Sequence, residues 1–397
     1  MAFTRTVVVA GAGIAGLTAA LTLARRGLHS IVLEQAERLQ ELGAGLQLSP
    51  NASRILIDLG LAPRLEAAVV APNAIRVRAA SGRDITRFPL TEAATRYGAP
   101  YWVIHRGDLQ AALSGAVRGH ADITVKLGCL VEDFAVHSHG VTVQSRRNGQ
   151  AAEDFGLALI GADGLWSNVR ARLPRQGPPQ FRGRTAWRAL VPAKAVAAAE
   201  REPLVNLWVG NGAHLVHYPV RAGAYVNVVA IVEDDWRQPG WSAPGERDEI
   251  LARFSRSWGR AARELLAVPQ QWQKWALYDR PGSYRGGRGP VTLIGDAAHP
   301  MLPFLAQGAA MAIEDAAVLA DALAMNVEQP AVALRAYEAA RASRTERVQR
   351  AARRNGSIYG LGGARGLARN LFMRAVGGNI LLRRYDWLYN WRPPAIP

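Results

Sequence analysis

Cysteine is all but missing: Cys129 is the only one in 397 residues. One thiol forms no intrachain disulfide and supplies no multi-cysteine zinc or iron–sulfur site. It also points to a reducing compartment. Acids are short as well, 32 against 48 basic residues, and of the basic residues only Lys126, Lys194 and Lys274 are lysines. The resulting charge of +16 is unevenly spread, because positions 341–397 hold twelve arginines opposed only by Glu346 and Asp386. The plain expectation for that stretch is a solvated helical face. A nucleic-acid patch and an anionic membrane surface are the sharper alternatives. No nucleic-acid motif accompanies the charge, so nucleic acid is not expected as a partner. Basic surroundings also draw in small anions. With 49% hydrophobic and 20% charged residues, disordered and collagen-like classes are excluded.

Unbroken apolar runs are absent too. Residues 6–24 carry no charge, yet Gly11, Gly13 and Gly16 interrupt them and Val7-Val8-Val9 precede. That order reads as strand, tight turn and helix, not as a signal peptide or membrane helix. A cytoplasmic chain without a transmembrane span is expected. Repeats and low-complexity tracts are also missing, and the length allows two or three domains or one interleaved fold.

What the chain does have is glycine in meaningful places. VVVAGAGIAG at 7–16 sets G-x-G-x-x-G between a strand and an alanine/leucine helix. The first glycine makes the turn, the second lets backbone approach a pyrophosphate, and the third lets helix and strand pack. The helix N-terminus offers free N–H groups to phosphates. A second strand at 30–33 ends at Glu34, placed to accept from a ribose hydroxyl. This unit binds a dinucleotide without separating NAD from FAD. Two later segments separate them. LIGADGLWSNVR at 159–170 and VTLIGDAAHPMLPFLAQG at 291–308 each run from a short apolar strand into a glycine–acid pair, Asp163 and Asp296. The second opens a helix to about Met325 whose N-terminus suits an anionic group, such as a reduced flavin.

Together with GAGLQLSPNA at 43–52, HRGDL at 105–109 and YEAARASRTERVQRAARRNG at 337–356, these segments resemble the group A flavoprotein aromatic hydroxylases, which share the fold of para-hydroxybenzoate hydroxylase. The branch containing salicylate, 6-hydroxynicotinate and 3-hydroxybenzoate hydroxylases is the most similar, and the match spans nearly the whole chain. The resemblance implies an α/β fold: a Rossmann-type FAD-binding domain interleaved with a β-sheet substrate domain, plus a C-terminal helical arm. It places FAD contacts on Gly11, Gly13, Ala15, Gly16, Glu34, Gln47, Arg106, Leu130, Asp163, Asp296, Pro303, Gln307, Gly308 and Ala309. Arg106 could instead pair with Asp108, and His299 is a structural histidine more readily than a proton relay. NADH or NADPH would reduce the flavin, O₂ would add to give a C4a-hydroperoxide, and oxygen would pass to an electron-rich ring. No second strand–GxGxxG–helix unit exists for the nicotinamide cofactor, which agrees with transient docking in that family.

A catalytic pair is sought on the strand at 213–219. Period 2 puts His214, Val216 and Tyr218 on one face and Leu215 and His217 on the other. A base that takes a phenolic proton activates the ring, and an imidazole of ordinary pKa near 6.5 could do so. His214 is the candidate base, with Tyr218 to orient or relay. The competing reading is a hydrogen-bonded strand histidine beside a packing tyrosine. Arg188 is a lesser candidate for carboxylate recognition through its planar guanidinium.

The expected layout is a discontinuous FAD domain over 1–71, 105–175 and 285–340. A substrate-side sheet spans 72–104 and 176–284, with a linker at 170–180. The arm at 341–397 is expected to be helical at first and then irregular, and to pack a homodimer. The substrate expected is a small phenolic or hydroxypyridine compound bearing a carboxylate. A non-aromatic or bulky substrate, an NAD-dependent dehydrogenase and a non-catalytic basic surface protein are the alternatives.

Overall fold

The architecture comes from a computed structural model that describes residues 5–39, 44–147, 149–174, 177–237, 242–254, 257–280, 284 and 286–394. Gly43, positions 175 and 176 of the expected linker, the boundary at 285 and the last three residues lie outside these.

Val7, Val8 and Val9 are fully buried, as a strand sandwiched on both faces requires. Their strand, Thr6–Ala10, is the centre of a parallel sheet ordered Val291–Leu293, Ala158–Gly161, Thr6–Ala10, His29–Glu34, Ile123–Leu127. Helix Ile14–Arg25 covers one face. Its buried Leu17 and Leu23 contribute about 1.5–3 kcal/mol each. It packs on helix Gly308–Met325, where Thr22 Oγ1 donates to Ala316 O at 2.9 Å. A three-stranded antiparallel sheet spanning residues 129–156 covers the other side.

The second large element is an eight-stranded sheet. Its middle runs Gln180–Pro192, Tyr225–Glu233, Ala213–Val220, Leu204–Gly210, and then Ala74–Ala79 joins in parallel. One face carries Trp187, Trp208, Leu215 and Val228 into a core shared with Ile250, Phe254 and Leu266. The other face looks toward the parallel sheet.

The C-terminal segment departs from expectation in two ways. It stays helical further than expected: helices Gly363–Val376, Gly378–Arg383 and Asp386–Tyr389 follow the long helix Pro330–Tyr359, and irregular chain comes only at 391–394. Burial of Leu381, Leu382, Leu388 and Tyr389 explains their order. Nor is its charge a uniformly solvated face. Arg341 and Arg344 are buried because Glu314 and Asp315, both fully buried, need counter-charges. Arg369 is buried too, with Nη1 donating to the carbonyls of Ile358, Tyr359 and Leu361. Among the described residues, no helix is long and apolar enough to cross a membrane.

Candidate active site

The glycine turn is shaped by contact. Gly11 has φ 101°, and a Cβ there would lie 2.6 Å from Ala162 O. A Cβ on Gly16 would overlap Gly11 O, so helix and strand approach only because it is absent. At Gly13, by contrast, nothing beyond the adjoining residues lies within 4 Å of a Cβ position. That open space belongs to a cavity of about 1390 Å³ lined by Gly11, Gly13, Ala15, Glu34, Arg106 and Asp163 at this end. Glu34 braces the turn: Oε2 accepts from Ala12 N at 2.7 Å and Oε1 from Ala36 N at 2.8 Å.

Asp163 follows strand Ala158–Gly161. Its Oδ2 accepts from Val169 N at 3.1 Å, whereas the buried Oδ1 has no hydrogen-bond partner. Burial raises its carboxyl pKa. Arg106 opens helix Arg106–Val117, and Asp108 is engaged bidentately by Arg221, both contacts at 3.1 Å. Leu130 lines the same end. Arg170, at the start of the expected linker, is buried and pins the loop beyond Asp296 by donating to Ala297 O and Ala298 O at 2.6 Å.

Asp296 opens its side chain to the cavity, and the walls around it push its carboxyl pKa up. Pro303, Leu305, Ala306, Gly308 and Ala309 continue the lining. Ala306 sits at φ 52°, a left-handed conformation costing a non-glycine residue of order 1–3 kcal/mol, which the surrounding fold holds in place. Helix Gly308–Met325 presents its N-terminus here. Gln307 does not line the cavity with its side chain, which is buried and bonded to Ser49 Oγ at 2.8 Å and Asn51 at 3.2 Å. His299 is also turned away, with Nε2 2.5 Å from Asp315 Oδ2.

The cavity continues without a break onto the second sheet. Ladder pairing sets His214 opposite Ile231, Val216 opposite Val229, and Tyr218 opposite Asn227, and this face lines the cavity. His217 faces the other way, 3.4 Å from Glu200 Oε2. His214 is 2% exposed and packs edge-on to Phe304 and Tyr359, at 5.3 and 5.4 Å between ring centres. Its Nδ1 has no hydrogen-bond partner. The ordinary pKa assumed from sequence does not hold. Burial, and then the Arg184 guanidinium, pull the imidazole down to about 3, so it is neutral at neutral pH. Burial raises Tyr218 well above the usual phenol range. Its ring lies 2.6 Å from where a Gly45 Cβ would be, and Asn227 Oδ1 accepts from Gly45 N at 2.6 Å. Gln47 faces Tyr218 and accepts from the Tyr101 hydroxyl at 2.7 Å.

Sequence reasoning missed Tyr101, Asn227, Asn355, Tyr359, Tyr385 and Tyr389. Asn227 supports the wall, and the others line the cavity. The last four come from the Arg-rich arm, whose charge pattern reads as surface.

The cradle accommodates FAD on this chain's own terms: a turn that no side chain may enter, an orphaned buried acceptor on Asp163, and a helix N-terminus beside a strained loop. The site is thus a dinucleotide cradle that opens directly onto a buried sheet face carrying a neutral imidazole, the layout of a flavoenzyme whose cofactor and substrate share one cavity.

Comparison with known proteins makes the assignment specific. The chain belongs to the FAD binding domain family, whose model matches residues 4–352. A 3-hydroxybenzoate 6-hydroxylase of Aquipseudomonas alcaligenes is 36% identical over 386 residues, covering 96% of this chain and 97% of that one. A 6-hydroxynicotinate 3-monooxygenase of Bordetella bronchiseptica is 32% identical over 355 residues, covering 88% and 91%. Among solved structures, HpxO of Klebsiella pneumoniae complexed with FAD and uric acid superimposes with a TM-score of 0.82 at 26% identity, covering 97% and 96%. A salicylate hydroxylase substrate complex does so with 0.79 at 26% identity, covering 99% of each chain. The protein is an FAD-dependent monooxygenase.

Proposed function

We propose that this enzyme hydroxylates a small phenolic or hydroxypyridine substrate bearing a carboxylate, with NADH or NADPH as electron donor and O₂ as oxygen source. The observation that carries the reading is the single cavity joining the glycine cradle to the face of His214 and Tyr218. Bound FAD supplies the redox chemistry, accepting hydride and delivering one oxygen atom of O₂. Gly11 to Gly16 and the helix behind them would hold its pyrophosphate, Glu34 a ribose, and Arg106 and Asp296 the chain between. The Pro303–Ala309 loop would flank its ring.

The protein's own part is to bind, orient and exclude water. His214, neutral and with Nδ1 unpartnered, accepts from the substrate's phenolic O–H. It takes that proton as the electrophilic oxygen draws electron density out of the ring, which acidifies the phenolic O–H. Tyr218 stays protonated and donates or orients. Phe304, Tyr359 and Ile231 keep the reacting end dry.

The chain works in the cytoplasm and as a homodimer. Helix Gly363–Val376 supports the latter, turning Leu367, Leu371 and Phe372 outward at 66%, 65% and 50% exposure with arginines around them. An apolar centre with an Arg-bearing rim is the anatomy of a subunit interface. A mass by light scattering that stays monomeric at every concentration refutes the dimer.

The test of function is anaerobic reduction by NADH or NADPH, followed by flavin absorbance with a panel of hydroxybenzoates, hydroxypyridine carboxylates and plain phenols. Strong acceleration by one compound, with a product heavier by one oxygen in air, supports the reading. Acceleration by none of them overturns it.

A further inference from the structure

Strand Gln180–Pro192 pairs with Tyr225–Glu233 so that Arg188 faces Val229, which in turn faces Val216. Arg188 therefore stands on the cavity face, in the row between those of His214 and Tyr218. Leu190, Leu207, Val216 and Val229 share that face and line the cavity with it.

The guanidinium of Arg188 is without a counter-charge. Among the described residues no carboxylate pairs with it, and its buried Nε has no hydrogen-bond partner. Its one contact of note is Trp275, whose ring centre lies 4.9 Å from Cζ. An indole covers one flat side of the fork and leaves the edge N–H groups free. A second cation, Arg106, enters the same cavity and opposes the charge of Arg188. Holding an unpaired guanidinium in such a place costs several kcal/mol. The apolar neighbours would pack as well against leucine, so local packing does not call for arginine. The cradle where pyrophosphate belongs is lined by Gly11, Gly13 and Glu34, at the parallel sheet, whereas Arg188 is on the second sheet.

We propose that Arg188 is the specificity-determining residue that takes the substrate's carboxylate, through a bidentate pair made by the fork edge left free by Trp275. The apolar row beside it receives the ring, and the phenolic end is directed toward His214. The enzyme thus selects aromatic acids over neutral phenols of the same shape. This rests on the reading of the site as an aromatic hydroxylase.

The experiment titrates FAD-loaded wild type and Arg188→Gln with a hydroxybenzoate and its carboxamide, reading Kd from the perturbed flavin absorbance. Wild type should bind the acid on the order of 100-fold more tightly than the amide. Arg188→Gln should lose that gap by weakening the acid alone. Should Arg188→Gln not retain flavin, Arg188→Lys is read in its place. It keeps the charge without the planar fork, and the gap should shrink at least tenfold. A wild-type enzyme indifferent to the carboxylate, or a variant that keeps the full gap, overturns the proposal. If wild type hydroxylates a neutral phenol as readily as the acid, the proposal fails and the aromatic-hydroxylase reading stands. If no phenol and no aromatic acid binds, both fall.

Discussion

Asp315 holds His299 from beneath the cofactor loop: Nε2 of the histidine lies 2.5 Å from Oδ2 of the aspartate, and both are buried. The same Oδ2 accepts from Gly295 N at 2.9 Å, and Oδ1 accepts from Arg341 Nε at 2.7 Å. These partners hold the Asp315 carboxyl down at about 2 in spite of its burial. The histidine nearest the glycine–aspartate motif is thus occupied in fixing the backbone beside Asp296.

Asp315→Asn should therefore act through structure. Removing one partner of a buried charge pair costs about 3–5 kcal/mol. The expected result is a lower unfolding temperature and a raised FAD dissociation constant. A variant with wild-type melting and flavin content would refute the assignment.

His214→Ala should leave FAD bound and break the link between NAD(P)H oxidation and hydroxylation. Loss of one positioned acid–base group costs about 10²–10⁴ in rate. Product formation should fall by that order while hydrogen peroxide accounts for most of the NAD(P)H consumed. Wild-type coupling, measured as product per NAD(P)H, would remove His214 from the mechanism.

The low pKa of His214 has a consequence for acid stability. In the folded protein the imidazole takes up a proton only near pH 3, whereas the unfolded chain does so near 6.5. Between those values the unfolded state binds more protons, so stability falls as pH drops below about 6.5. At pH 5 this one group costs roughly 2 kcal/mol. His214→Asn cannot take up the proton, so its loss of stability between pH 7 and 5 should be smaller by about that amount. Parallel denaturation profiles for the two proteins over this range would contradict it.

Gly16→Ala tests the cradle. The added Cβ meets Gly11 O, a backbone atom that cannot swing aside. Overpacking of this kind costs about 1–3 kcal/mol, and the displaced turn is the one proposed to hold the pyrophosphate. Purified protein should be pale, with a depressed ratio of flavin to protein absorbance. A fully yellow variant would mean that the turn tolerates the shift.

The first fingerprint was readable because its requirements are local. Gly11, Gly13, Gly16 and Glu34 lie within one strand–helix–strand unit, and spacing alone brings them together. The His214–Tyr218 face was readable for the same reason, since a strand alternates. The arm at 341–397 was not. Twelve arginines look like a solvated surface when the acids that bury some of them, Glu314 and Asp315, are distant in sequence.

Sequence by itself determined the dinucleotide cradle and the strand that carries the candidate base, because both rest on short-range periodicity and residue chemistry, and its ordered motifs carried the resemblance to the family. Tertiary structure decided how those residues behave. It lowered the imidazole of His214 by surrounding it with Phe304, Tyr359 and Arg184, drawn from three distant segments. It also singled out Arg188 from among the arginines, by placing it against Trp275 with no carboxylate in reach among the described residues. Burial and counter-charge are sums over neighbours that only the folded chain assembles, and here they decide which ionisable groups are left for a substrate.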